Sequence, residues 1–107
     1  MYSHDDREFT KDIRRADPEG FTAYRQFADA IMHSPDSPLD ARVTELIALG
    51  VAFTTQCPHC IKGHTEGARK AGVTKEELAR VTHIAAAMRA GGAETHGLMA
   101  FKYYEEA

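Results

Sequence analysis

The 107 residues suffice for one domain and are too few for two ordinary ones, so the chain reads as a single folding unit over 1–107. Its 13 Lys and Arg against 16 Asp and Glu leave a formal charge of -3 with the signs interspersed, which excludes the basic stripe of a nucleic-acid surface. The longest uncharged apolar run, LIALGVAF at 46–53, falls far short of the roughly 20 residues that cross a bilayer, and the acidic start MYSHDDREFTKDIRR lacks signal character, so no membrane partner and a cytoplasmic location are expected.

No stretch alternates strictly and no Asn-Gly or Asp-Gly hairpin signal occurs, so the expected class is all-α, with about five to six helices. The arm to about Arg15, with Phe9 and Ile13 four apart, fits either a short helix or a solvated tail. Asp17-Pro18-Glu19 opens the next helix, a cap residue followed by proline where the first N–H has no partner anyway. It runs to about Met32 with Phe21, Tyr24, Phe27, Ala28 and Ile31 on one stripe, until HSPDSP stops it. Asp40 starts a helix to about Thr55. Its Val43, Leu46, Ile47, Leu49, Val51 and Phe53 cover most of the circumference, which predicts a central helix buried on several sides. Glu45 is the anomaly inside it.

QCPHC then breaks that helix and begins another, with Pro58 at the first helical position and Cys57 at the cap; Gly72 in KAG ends it. Thr74 and Glu77 form a capping box ahead of Leu78, Val81, Ile84, Ala85 and Met88, a helix expected to stop at Gly91-Gly92. A last amphipathic segment is expected from about Ala93 to Glu105. Leu, Ile, Val and Phe make only 19 of the 107 residues, so a protomer built this way has a thin core and gains from association.

The chemistry concentrates in QCPHCIKGH, residues 56–64. Two cysteines three apart in a chain without export signals point to metal or redox chemistry rather than a structural staple. At a helix N-terminus the unpaired N–H groups favour thiolate, the form that attacks peroxides and disulfides. His64 lies one turn beyond Cys60 on the same face and can accept or return a proton. If the helices on either side of Gln56 form an antiparallel hairpin, His64 is level with residue 48, and Glu45 is only about 4.5 Å deeper. Glu45, His64 and Cys60 then make a relay in which a carboxylate orients the imidazole that serves the thiol.

A zinc-binding structural module is the competing reading: Cys57, Cys60 and His64 supply three ligands, but the second ligand pair is missing, and Glu45, His83 or His96 would have to provide the fourth. CPHC is also the tetrad type of thioredoxin-like oxidoreductases. That fold needs a later cis-proline, and Pro58 is the last proline here. The remaining histidines, His4 and His33, together with Tyr103 and Tyr104, are expected at the surface or at protomer contacts. Which sulfur attacks first stays open on these grounds, since the capping position favours Cys57 and proximity to His64 favours Cys60.

The segment ELIALGVAFTTQCPHCIKGHTEGARKAGVTKEELAR resembles the core of the alkylhydroperoxidase D branch of the carboxymuconolactone decarboxylase superfamily. That branch has a Glu twelve residues before CxxC, a His four after it, a short helix ending in Gly and then a Glu-rich helix start. Here Glu45, Cys57, Cys60, His64, Gly72 and Glu76-Glu77 stand in that order. The resemblance covers about Phe21 to Gly91. It implies a compact all-α fold associating as a homotrimer or homohexamer. It also implies an antioxidant thiol peroxidase with a disulfide reductase cycle, acting on an organic hydroperoxide or a disulfide without a cofactor or metal. By position, Cys60 matches the attacking cysteine and Cys57 the resolving one, with Glu45, His64 and His59 in the proton relay. A thiol or lipoyl-type reductant would reopen the disulfide. The lactone decarboxylases share the fold but lack the cysteine pair, which makes that activity the weaker implication.

Overall fold

The structure, a computed structural model, describes residues 8–107, so His4 lies outside it. Among the described residues there are five helices and no strand, as the absence of alternation predicts: α1 (Thr10–Ala16), α2 (Pro18–Met32), α3 (Ala41–Thr55), α4 (Pro58–Lys70) and α5 (Lys75–Glu106). The N-terminal arm is therefore helical from Thr10, and α1 packs on α2.

Local chemistry sets most boundaries. Asp17 accepts a hydrogen bond from the Gly20 N–H at 3.1 Å and starts α2, while Asp40 accepts from the Val43 N–H at 2.9 Å and starts α3. Gln56 closes α3 in the left-handed conformation, with φ 57° and ψ 49°. This reverses the chain, so that α4 begins two residues later and returns along α3. Gly72, with φ 88°, ends α4, and the Val73 N–H reaches back to the Ala68 carbonyl at 2.9 Å. Thr74 and Glu77 then cap α5 reciprocally.

One expected boundary is absent. Helix α5 continues through Gly91-Gly92 for 32 residues, so the segment from Ala93 is its second half rather than a separate helix. Glycine costs a helix about 1 kcal/mol relative to alanine but does not forbid it. No proline follows the pair, and Ala90 and Ala93 on either side are the best helix formers.

Helix α3 is central, with α4 and α5 both packed on it, and the Arg42–Glu77 ion pair ties α3 to α5. Among the described residues the buried apolar ones are Leu49, Ala52, Ala68 and Ala85: one large side chain and three methyl groups that let the helix axes approach. Burying Leu49 contributes about 1.5–3 kcal/mol. The other apolar residues are partly buried or exposed. Tyr24, Phe27 and Ile31 of the α2 stripe, Ile47 and Val51 of α3, and Phe101 and Tyr104 of α5 are all more than half exposed. Helix α3 is thus buried toward α4 and α5 and open along Ile47 and Val51, where it expected cover on further sides. An apolar groove of about 580 Å³ runs there between α3 and α5, lined by Val43, Ile47, Val51, Ile84 and Met88.

The chain is drawn out to 54 × 37 × 32 Å, with a radius of gyration of 18.2 Å. A globular chain of this length has about 13 Å. The difference arises because residues 86–107 are exposed throughout and α1–α2 packs chiefly on itself. No helix among the described residues is long and apolar enough to cross a membrane.

Candidate active site

Two helices build the site. Cys57 caps α4: its Sγ accepts the Cys60 N–H at 3.3 Å, Pro58 occupies the first helical position, and Cys60 the third. The two cysteines, with Cα atoms 5.3 Å apart, are joined as a disulfide, and both are half-buried. Each sulfur therefore sits at the positive end of the α4 dipole, where negative charge on sulfur is favoured once the bond is opened. The shared location follows from the short motif, since proline permits the helix to start there and the i, i+3 spacing places both side chains on its first turn.

His64 lies one turn beyond Cys60. Its Nδ1 donates to Glu45 Oε2 at 2.8 Å, across nineteen residues of sequence. The Glu45 side chain is 12% exposed and that of His64 32%, so the carboxylate is held within the α3–α4 seam while the imidazole keeps a solvent-facing edge. The hairpin assumed from the sequence is the one present. With its proton held at Nδ1, the ring presents Nε2 as its basic nitrogen.

His59 occupies the second position of α4, half-buried, with Nδ1 shielded from solvent. The structure thus places Cys57, His59, Cys60 and His64 on α4 and joins Glu45 to His64. His33, His83 and His96 are exposed, the last two on α5, and no group of three or more His, Cys, Asp or Glu among the described residues is arranged to hold a metal ion. Sequence reading did not single out Gly67. A β-carbon there would stand 2.9 Å from Glu45 Oε1, so this glycine faces the largely enclosed carboxylate directly. The signal was available: Glu45 and Gly67 are each eleven residues from Gln56, and a hairpin pivoting there sets them opposite one another.

Comparison with known proteins gives a consistent picture. Residues 18–103 match the profile of the carboxymuconolactone decarboxylase family. A Paracoccus denitrificans protein described as uncharacterized protein 4 in the cox locus is 46% identical over 71 residues, covering 66% of this chain and 64% of that protein, so the match spans just under two-thirds of the relative. A crystal structure of a Methanobacterium thermoautotrophicum protein superposes with a TM-score of 0.70 at 31% identity, over 78% of this chain and 94% of the other. The apo structure of a carboxymuconolactone decarboxylase family protein from Legionella pneumophila gives a TM-score of 0.63 at 33% identity, over 80% and 81% of the two chains.

Proposed function

The chain belongs to the carboxymuconolactone decarboxylase family, and we propose that within it the chain is a cysteine-based thiol peroxidase with a disulfide reductase cycle. The family includes decarboxylases as well as peroxidases of the alkylhydroperoxidase D type. One observation carries the choice: the Glu45–His64 hydrogen bond lies one turn from Cys60, on the helix whose N-terminus bears the dithiol. A carboxylate–imidazole pair beside a thiol is machinery for moving a proton to and from sulfur chemistry.

In the proposed cycle the Cys60 thiolate attacks the terminal oxygen of an organic hydroperoxide. The O–O bond breaks, the alkoxide leaves with a proton delivered by the His64 imidazolium, and Cys60 becomes a sulfenic acid. Cys57 then attacks the Cys60 sulfur, expelling water and forming the Cys57–Cys60 disulfide. A dithiol reductant, such as a lipoyl-type group, reopens it by exchange and is itself oxidised to a disulfide. Glu45 keeps His64 in the tautomer that can take the thiol proton at Nε2, and His59 is assigned to the same relay.

The reduced protein is expected to lose two free thiols per protomer when mixed with one equivalent of an alkyl hydroperoxide, with one equivalent of alcohol formed. Stopped-flow mixing followed by thiol titration measures this. Thiols that persist in excess peroxide would defeat the proposal, and stoichiometric zinc in protein purified without chelator would favour the structural zinc module.

A homotrimer or homohexamer is part of the same proposal. The exposed α2 stripe and the groove between α3 and α5 are apolar surfaces that a second copy would cover. Sedimentation velocity is expected to give three or six times the 11.8 kDa of one chain, and a monomer at micromolar concentration would refute the association.

A further inference from the structure

We infer that Gly67 is a positioning residue for the Glu45–His64 pair, because only a residue without a β-carbon lets the Glu45 carboxylate lie against α4 and reach His64 Nδ1. A β-carbon at 67 would stand 2.9 Å from Oε1, 3.0 Å from Cδ and 3.2 Å from Oε2. Every atom of the carboxylate is then inside ordinary contact distance, which is about 3.5 Å or more for carbon neighbours. Rotation about the Cγ–Cδ bond exchanges one overlapping oxygen for the other. Relief therefore comes from the carboxylate, the mobile end of the side chain, shifting away from residue 67 and so from the position in which Oε2 accepts the His64 N–H at 2.8 Å.

The same helix supplies the contrast. Gly63 lies one turn earlier, and a β-carbon there meets nothing within 4 Å. Glycine is the poorest helix former other than proline, so both positions weaken α4 equally by propensity. Only at 67 does the structure supply a steric reason for it.

Withdrawal of Glu45 removes the fixed acceptor of the Nδ1 proton. The imidazole is then free to carry its proton on Nε2, the nitrogen the proposed cycle needs bare, and to turn about its side-chain bonds. The catalytic significance of Gly67 rests on the peroxidase reading; its geometric role does not.

Two substitutions test the inference, Gly67→Ala and Gly63→Ala, each in the reduced 107-residue chain. Heteronuclear NMR of the imidazole groups, at a pH where His64 is neutral, reports which ring nitrogen bears the proton. The unaltered protein and Gly63→Ala are expected to hold it on Nδ1, while Gly67→Ala shifts it toward Nε2. In the peroxide assay Gly67→Ala is expected to lower kcat/KM by about 10- to 100-fold, the scale of a roughly 1 Å misplacement, and Gly63→Ala to leave it unchanged. In a Glu45→Ala background the Gly67→Ala change should add no further loss.

A Gly67→Ala protein with the tautomer of the unaltered one overturns the inference, as does an equal loss of rate with and without Glu45. If the chain oxidises no peroxide, the peroxidase reading fails and the NMR result still decides the role of Gly67. If Gly67→Ala does not fold, folding of the Glu45→Ala/Gly67→Ala protein assigns the clash to the carboxylate, and failure of both overturns the inference.

Discussion

Cys60→Ser is expected to bring peroxide turnover down to the uncatalysed background, a loss of about 10³-fold or more. A serine hydroxyl at this helix N-terminus remains protonated at neutral pH, and an alcohol does not displace an alkoxide from a peroxide. The fold should survive, because Cys60 is half-buried and the cap of α4 is made by the Cys57 sulfur accepting from a backbone N–H that serine retains. Thermal unfolding followed by helicity checks that point. Full activity in Cys60→Ser would sink the proposed chemistry.

The companion change separates the two sulfurs. Cys57→Ser should consume one equivalent of peroxide and stop with Cys60 as sulfenic acid, detectable by a sulfenic-acid-trapping reagent, because the resolving partner is missing. Were Cys57→Ser inert and Cys60→Ser able to make the single turnover, the attacking and resolving roles would be reversed. The helix start leaves this open, since both sulfurs share the first turn of α4; the assignment of Cys60 follows the family resemblance and its position one turn from His64.

The second large effect is expected at Glu45. Glu45→Gln should lower kcat/KM for peroxide by about 10²-fold, the lower end of what general acid–base catalysis contributes, with the helical content unchanged. Glutamine keeps the size of glutamate and can still accept the His64 N–H, but it is neutral and cannot stabilise the imidazolium that forms when the thiol proton is taken. The Glu45 carboxylate is largely enclosed between α3 and α4 and meets His64 there at 2.8 Å. Steady-state kinetics over a range of peroxide concentrations checks the expectation, and rates equal to those of the unaltered protein would remove Glu45 from the relay.

The site was legible in the sequence to the extent that its parts are local or lie on one regular element. Cys57 at the cap, Cys60 at the third helical position and His64 one turn on follow from proline chemistry and the helical repeat alone. Glu45 was within reach because a charge among Val43, Leu46, Ile47 and Leu49 is anomalous, and an antiparallel hairpin pivoting near Gln56 brings it within side-chain reach of His64. Gly67 becomes visible only together with the hairpin: a glycine in a helix looks the same from sequence whether it faces a carboxylate or, as at Gly63, open space, until a pivot at Gln56 sets residue 67 opposite Glu45. Gly91-Gly92 reads as a stop because two weak helix formers mimic one, while the strong formers beside them carry α5 through.

By itself the sequence determined the helical class, the caps at Asp17, Asp40, Cys57 and Thr74, and the dithiol's place at a helix start, because each depends on hydrogen bonds and dihedral preferences within a few residues. Only the tertiary structure decided that Glu45 meets His64 and that Gly67 makes room for it, since those depend on how two helices lie against each other. It also decided which apolar faces stay uncovered. The stripe Tyr24, Phe27 and Ile31 has the same helical spacing whether it is buried or bare, and its cover depends on surfaces that local preferences do not specify.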